Sequence, residues 1–384
     1  MNVPSPVAKP AVQQNARKPA LPALTGIRSL AAVCIMFFHF TPAGLRWNAH
    51  PWVTLYPVVD IGFVFVGFFF LLSGFILTYN YSDKPGLNAV DFWVARLSRL
   101  YPIYLLTLVI SIPMIVVEFH VRSRVEFIEG MTLTPLLLQG LLPRLATFAN
   151  TVAWALSCEL VFYLLFPWLN RLRWSRSASK LLALFVALWL IGLILPALYI
   201  HFDPDHLGHM ADRYSGGFWI AALKYTPLPH VSTFVAGIAL GRLHAAAQLR
   251  KSWRTVVGLC GFAGFIVLVW GFSTQLPYPL LHDGLLVPVF AAMVLGLAGT
   301  GVLARIFSVK PLMWIGASSY ALYLMHFNVF ILLHIYNIPA RLGLARVDPW
   351  ISYAFIVLLA IVVTRWVEVP AQQAINRWWK QRRA

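Results

Sequence analysis

Charge is what this chain has least of. Only 11% of its 384 residues are Asp, Glu, Lys or Arg, where soluble domains carry about 25%. With 60% of residues hydrophobic, this composition excludes a soluble globular protein. Acidic residues are the scarcer sign, 13 against 30 basic, for a net charge of +17. The excess does not imply nucleic acid, because the basic residues cluster between apolar runs, where they act as orientation signals. Cysteine is nearly absent. Cys34, Cys158 and Cys260 all fall in apolar runs, which argues against a disulfide framework and for small packing residues. No hydrophilic stretch is long enough for a second soluble domain, and no internal repeat of the transporter kind is visible.

What the chain does have is a series of apolar runs of about 20 residues, each able to cross a bilayer as a helix. They predict an all-α integral membrane protein, a bundle of about ten transmembrane helices. The expected spans lie near 24–42, 58–80, 100–118, 152–170, 181–200, 230–248, 255–273, 284–304, 312–337 and 350–367. Residues 1–23, polar and Pro-rich, are expected to be a disordered cytoplasmic tail. Residues 24–370 form the membrane domain, and 371–384 a basic cytoplasmic tail. The first span shows no small-residue cleavage site and is read as retained, not as a signal peptide. With the N-terminus inside, 22 of the 30 basic residues fall on the cytoplasmic side, Lys9, Arg17 and Lys84 among them. Only Asp83, Asp91 and Glu368 are acidic there. The bias places both termini inside. The apolar part of 119–150, residues 131–142, is too short for a span and is expected to be interfacial or re-entrant.

Arg28 and His39 lie within the first span. A central Arg costs roughly 2.5–3.5 kcal/mol on insertion scales, so a polar residue there signals function. Eleven residues turn the helix by about 1100° and rise about 16 Å, placing both side chains on nearly one face. Arg96 and Arg99, three apart, share a face near the same membrane surface as Arg28. Three arginines in one cluster suit phosphate, although ordinary positive-inside anchoring explains the same pattern. Glu159, in AWALSCELVFYLLFPW, is expected in the outer half of its span, at the depth of His39. A carboxylate there orients an imidazole as a general base; a purely structural polar pair is the alternative. Tyr163 follows four residues later on the same face, while Ser157 points elsewhere. In WIGASSYALYLMHFNVF, Ser319, Tyr323 and His326 share a face beside Tyr320. Tyr163, Tyr320, Tyr323 and His326 are candidate substrate contacts, with packing equally open for His326. The segment HFDPDHLGHMAD (201–212) holds metal-competent His201, His206 and His209, but no zinc spacing; it reads as a solvated loop, and no metal is expected. Gly62, Gly67 and Gly74 allow close helix approach.

Together these motifs resemble the acyltransferase-3 family of membrane acyltransferases. The carrying residues are Arg28 and His39 with ten between, FFLLSGFILT (69–78), Arg96 and Arg99 before LYPIY, WALSCELVFYLLFP (154–167) and SSYALYLMHF (318–327). They occur in the family's order over about 24–370. The resemblance implies transfer of an acyl group, usually acetyl from cytoplasmic acetyl-CoA, to a hydroxyl of an extracytoplasmic glycan, lipid-linked glycan or small molecule. It implies a multi-pass protein of the bacterial inner membrane. It assigns His39 as the catalytic group with Arg28, and Arg96 and Arg99 to the acyl-CoA side. Glu159 matches the motif's glutamate, whereas the usual serine before its Trp is Ala153 here. The esterase-like domain of some relatives is not expected after the last span, so a separate periplasmic transferase partner could complete the transfer. A proton-coupled transporter or flippase, with Arg28, His39, Glu159 and His326 as a relay, is the alternative. A non-catalytic scaffold would leave the buried His and Glu without a role.

Overall fold

The structure, a computed structural model, describes residues 18–44, 56–82, 86–208 and 211–383. Most of the expected N-terminal tail lies outside the described residues, as do Lys9, Arg17, Asp83, Lys84 and His209. The described chain is helical throughout. The principal helices are α1 (Pro22–Gly44), α2 (Val64–Tyr81), α3 (Ala89–Ile110), α4 (Trp154–Arg171), α5 (Ala178–Gly192), α6 (Pro227–Ala247), α7 (Lys251–Phe272), α8 (Val287–Leu297), α9 (Lys310–Ala317), α10 (Ser319–Ile335), α11 (Trp350–Val363) and α12 (Val369–Arg383).

Among the described residues, seven segments are long and apolar enough to cross a membrane, and α9 with α10, bent by 66°, would make an eighth. Two further expected spans coincide with α4 and α6. These two are packed among other helices, so their composition answers to protein neighbours as well as lipid. The expected third span begins earlier than its apolar run. Asn88 caps α3 by accepting from the Asp91 backbone N–H at 3.1 Å, an N-cap that starts the helix at Ala89 and takes Arg96 and Arg99 inside it. The expected span at 284–304 is interrupted after Leu297 and resumes as a short helix, Val302–Phe307.

The stretch 119–150 contains no spanning helix. A capping box between Ser123 and Glu126 starts the helix Arg124–Leu133. Three 3₁₀ turns follow: Thr134–Leu136, Gln139–Leu141 and Pro143–Leu145. Leu137, Gln139, Leu145 and Phe148 are fully buried. Irregular backbone at depth must be satisfied by protein. Here Ser157 accepts from the Gly140 N–H at 3.1 Å, and Asn328 donates to the Ala149 carbonyl at 3.0 Å.

Close approach is required where α2 crosses α6. A Cβ at Gly74 would sit 2.2 Å from the Phe234 carbonyl oxygen, and one at Gly237 2.1 Å from that of Leu71. Gly62 likewise backs onto Cys34, whereas Gly67 has no heavy atom within 4 Å of its Cβ position and is not a packing glycine. The C-terminal tail is a docked helix. Trp379 Nε1 donates to Asp91 at 2.8 Å, Arg383 pairs with the same carboxylate, and Ser98 donates to Asn376 at 3.3 Å. All three cysteines are free; Cys34 and Cys158 are buried and Cys260 is exposed.

Candidate active site

A cavity of about 290 Å³ opens between the N-terminal ends of α1 and α3 and the C-terminal end of α2. Its walls carry Arg28 from α1, Arg96 and Arg99 from α3, Glu159 and Tyr163 from α4, and Ser319, Tyr320 and Tyr323 from α10. Lys18 to Leu21 and Tyr79 also line it, with the Tyr79 hydroxyl donating to the Pro19 carbonyl at 2.8 Å. The helical period thus brings the three arginines together as the spacing predicts. Each is only half-buried, because part of each side chain faces the cavity. Arg96 donates to the Tyr81 hydroxyl at 3.3 Å and lies 5.8 Å from the rings of Tyr81 and Phe92.

Glu159 departs from its expected place. Its electrostatic neighbours are Arg99, Arg28 and Arg96, with Tyr163 beside it. It makes no hydrogen bond or ion pair with His39 among the described residues. The helix itself runs close to the expected span, as Trp154–Arg171. Glu159 and Tyr163, four residues apart, share the face that lines the arginine cavity, whereas His39, three turns beyond Arg28 on α1, does not line it. Glu368, which the spacing left without a role, is a second carboxylate near Arg99 and Arg28. The cavity wall thus carries three guanidiniums and the carboxylate of Glu159, with that of Glu368 close to Arg99 and Arg28.

His39 faces His326 instead. Their ring centroids are 5.2 Å apart, with Phe327 packed edge-on to His39 at 5.3 Å. His326 is fully buried, and its Nδ1 lies 2.7 Å from the Tyr323 carbonyl and 3.2 Å from that of Leu322. A carbonyl can only accept, so Nδ1 carries the hydrogen in this arrangement and Nε2 is a bare lone pair. Nε2 is buried and has no partner. His326 thus lies outside the arginine cavity, while Tyr163, Tyr320 and Tyr323 line it. The Tyr320 hydroxyl donates to the Leu100 carbonyl at 2.7 Å and that of Tyr323 to Val152 at 2.9 Å. These bonds tie α10 to α3 and to the irregular segment, so both tyrosines have structural work besides any substrate contact.

One residue near His39 was not singled out from the sequence. Arg213, from the segment after residue 202, donates to the Phe38 carbonyl at 2.7 Å and places its guanidinium carbon 3.8 Å from the Phe38 ring centre. It is also 3.5 Å from Asp60 and is an electrostatic neighbour of His39. Nothing local marks it, since it arrives from a distant loop. It borders a second cavity of about 590 Å³, with Asp60, Tyr214 and Tyr278. The carboxylates of 201–212 serve the backbone: Asp203 accepts from the N–H groups of Leu207 and Gly208, both at 2.8 Å, and Asp205 from Ile220 at 2.7 Å.

Comparison with known proteins gives the family. The acyltransferase MdmB of Streptomyces mycarofaciens is 27% identical over 322 residues, 80% of this chain and 79% of that protein. The O-acetyltransferase OatA of Staphylococcus aureus is 23% identical over 402 residues, and the peptidoglycan O-acetyltransferase OatA of Listeria monocytogenes 25% over 390. Those matches take in 92% of this chain but only 57% and 56% of the two OatA proteins, so the chain spans little more than half their length. No solved structure matches. Residues 21–368 match the acyltransferase-3 family, described as an acyltransferase domain, and the chain belongs to that family of acyltransferase enzymes.

Proposed function

We propose that this protein transfers an acyl group, acetyl in the first instance, from acyl-CoA to a hydroxyl of a glycan or lipid-linked glycan across the bacterial inner membrane. In this reading it makes ten crossings, and the arginine cavity and both termini face the cytoplasm. The observation that carries the reading is the division of α1. Arg28, near one end, lies on a cationic cavity, and His39, three turns on, lies beside a buried histidine with a free lone pair.

Arg28, Arg96 and Arg99 fit the phosphates of the donor. Guanidiniums bind phosphate through paired hydrogen bonds, and the three outnumber the nearby carboxylates Glu159 and Glu368. The cavity, at about 290 Å³, is at the low end of the range of about 300–1,000 Å³ usual for ligand pockets. It suits the thioester arm more than the whole donor, with the phosphates held at its mouth. Tyr163, Tyr320 and Tyr323 line the path inward.

His39 then takes the proton of the acceptor hydroxyl as the oxygen attacks the thioester carbonyl. The C–O bond forms, the C–S bond breaks, and the thiolate leaves with the proton returned from the imidazolium. His326 supports this step. The two rings lie 5.2 Å apart and Nε2 has no partner in the resting structure; in the proposed step that lone pair accepts from His39 N–H as the imidazolium forms and stabilises the cation. His326 thereby takes the orienting role that the sequence suggests for Glu159. The acceptor approaches from the opposite side of the membrane, past Arg213. A glycan is proposed because relatives include a peptidoglycan O-acetyltransferase. A separate periplasmic partner that finishes delivery is part of this reading.

The test is acyl transfer by purified protein in proteoliposomes, with labelled acetyl-CoA supplied on one side and acceptor on the other. Acetyl ester on the acceptor supports the reading. Acceptor moving across the membrane without consumption of acetyl-CoA refutes it and favours the transporter.

A further inference from the structure

A cluster apart from both histidines of the acyl-transfer step lies in the wall between the two cavities. His230 comes from α6, and His282 and Asp283 from the end of a short helix, Tyr278–His282. All three side chains are almost fully buried, and they present ligand atoms within 4.8 Å of one another. Aromatic rings enclose them. Phe70, which lines the arginine cavity, is 5.2 Å from the His230 ring, while Phe63 and Tyr278, which line the second cavity, are each 5.7 Å from His282. Trp154 covers both imidazoles at 5.6 and 6.0 Å.

The hydrogen bonds of the cluster leave a deficit of positive charge at its centre. His230 Nε2 is 3.1 Å from the Lys224 carbonyl, which can only accept. In the neutral ring the hydrogen is therefore on Nε2, and Nδ1 is a bare lone pair. That lone pair faces Asp283 Oδ1 at 3.9 Å. Two acceptors opposed in a dry, aromatic enclosure are unfavourable unless something positive lies between them. Asp283 Oδ1 also lies 2.9 Å from His282 Nδ1, and its Oδ2 is buried without any partner. Lys224 is the nearest ammonium to consider, but it donates to the carbonyls of Arg213 and Ser215, each at 3.1 Å.

The geometry points to a divalent transition-metal site formed by His230, His282 and Asp283. Two imidazoles and a carboxylate suit zinc and its first-row neighbours. Metal–ligand bonds of about 2.0–2.2 Å at a tetrahedral angle put ligand atoms about 3.3–3.6 Å apart. The two separations from Asp283 Oδ1 to the imidazoles, 2.9 and 3.9 Å, bracket that value, and all three ligand atoms lie within 4.8 Å of one another. The ion is a pin. It fastens α6 to the turn after residue 282 and so holds the wall that separates the two cavities.

The experiment uses the full-length protein in detergent, stripped with chelator and reloaded with zinc, and reads metal content and melting temperature. One zinc per chain, with a higher Tm on loading, is expected for the wild type. His230→Ala and Asp283→Asn should lose both effects, while His206→Ala, in the outlying loop, keeps them. A wild type that binds no zinc, nickel, iron or manganese after reloading overturns the proposal and leaves a proton shared between His230 and Asp283. Variants that load as fully as wild type overturn it too. If the variants do not fold, X-ray absorption on the loaded wild type decides: two imidazoles and a carboxylate support the site, and a spectrum without imidazole rejects it.

Discussion

His326→Asn separates the two ideas about what orients His39. The asparagine amide takes over the donor position of Nδ1, which anchors the ring to the Tyr323 carbonyl at 2.7 Å. It places nothing where the free Nε2 stands. The substitution therefore keeps the anchor and deletes the acceptor. A hydrogen bond to a charged partner contributes about 1.5–3 kcal/mol. If that bond to the His39 imidazolium exists only as the proton moves, its loss lowers kcat about 10- to 150-fold with little change in donor KM. His326→Gln, which restores a carbonyl near the Nε2 position, should recover part of the rate. The assay is initial-rate acetyl transfer in proteoliposomes over a range of acetyl-CoA concentrations, with Tm measured for each variant. Glu159→Gln is the counterpart. Seated among Arg28, Arg96 and Arg99, it should alter donor KM and lower Tm while leaving kcat within about threefold. A wild-type kcat for His326→Asn, together with a kcat collapse for Glu159→Gln at unchanged Tm, would refute the reasoning. It would return the orienting role to the carboxylate.

Other consequences follow from single contacts. Arg99→Ala removes one phosphate ligand and should raise donor KM about 10- to 150-fold at nearly constant kcat, read in the same kinetic assay. Gly74→Ala drives a methyl to 2.2 Å from the Phe234 carbonyl and should cost about 1–3 kcal/mol in detergent unfolding. Gly67→Ala meets nothing within 4 Å and should be neutral or stabilising by up to about 1 kcal/mol. Tyr323→Phe leaves the Val152 carbonyl without its 2.9 Å donor; it should lower stability by about 1–3 kcal/mol and spare kcat, unless the hydroxyl also serves the substrate.

What the sequence made legible was local. The 3.6-residue period put Arg28 and His39 on one face and Arg96 beside Arg99, and all three arginines do meet on one cavity. The Asn88–Asp91 cap that starts α3 was also there to be read, but hydropathy hid it, because the arginines delay the apolar run to residue 100. Facing was less legible. Hydropathy draws α4 nearly as it stands, Trp154–Arg171, but a span's bounds do not say which neighbour each face meets, and the face of Glu159 meets the arginines of α1 and α3 and not His39. Partners from separate spans were not legible at all. His230 and His282 lie 52 positions apart on elements that only packing brings together, and Arg213 reaches Phe38 across 175 positions. The 66° bend between α9 and α10 falls at Gly316-Ala317-Ser318-Ser319, a Gly/Ser kink signal that an apolar run of helical length conceals.

The central claim is that His39 performs the proton transfer of an acyl transfer whose donor sits among the arginines. Its most direct test is mass spectrometry of surface glycans from cells that carry the wild-type protein or His39→Ala, with equal membrane insertion verified. The account predicts acyl ester on the glycans of the wild type and none for His39→Ala. The same ester in undiminished amount with the alanine variant would contradict it.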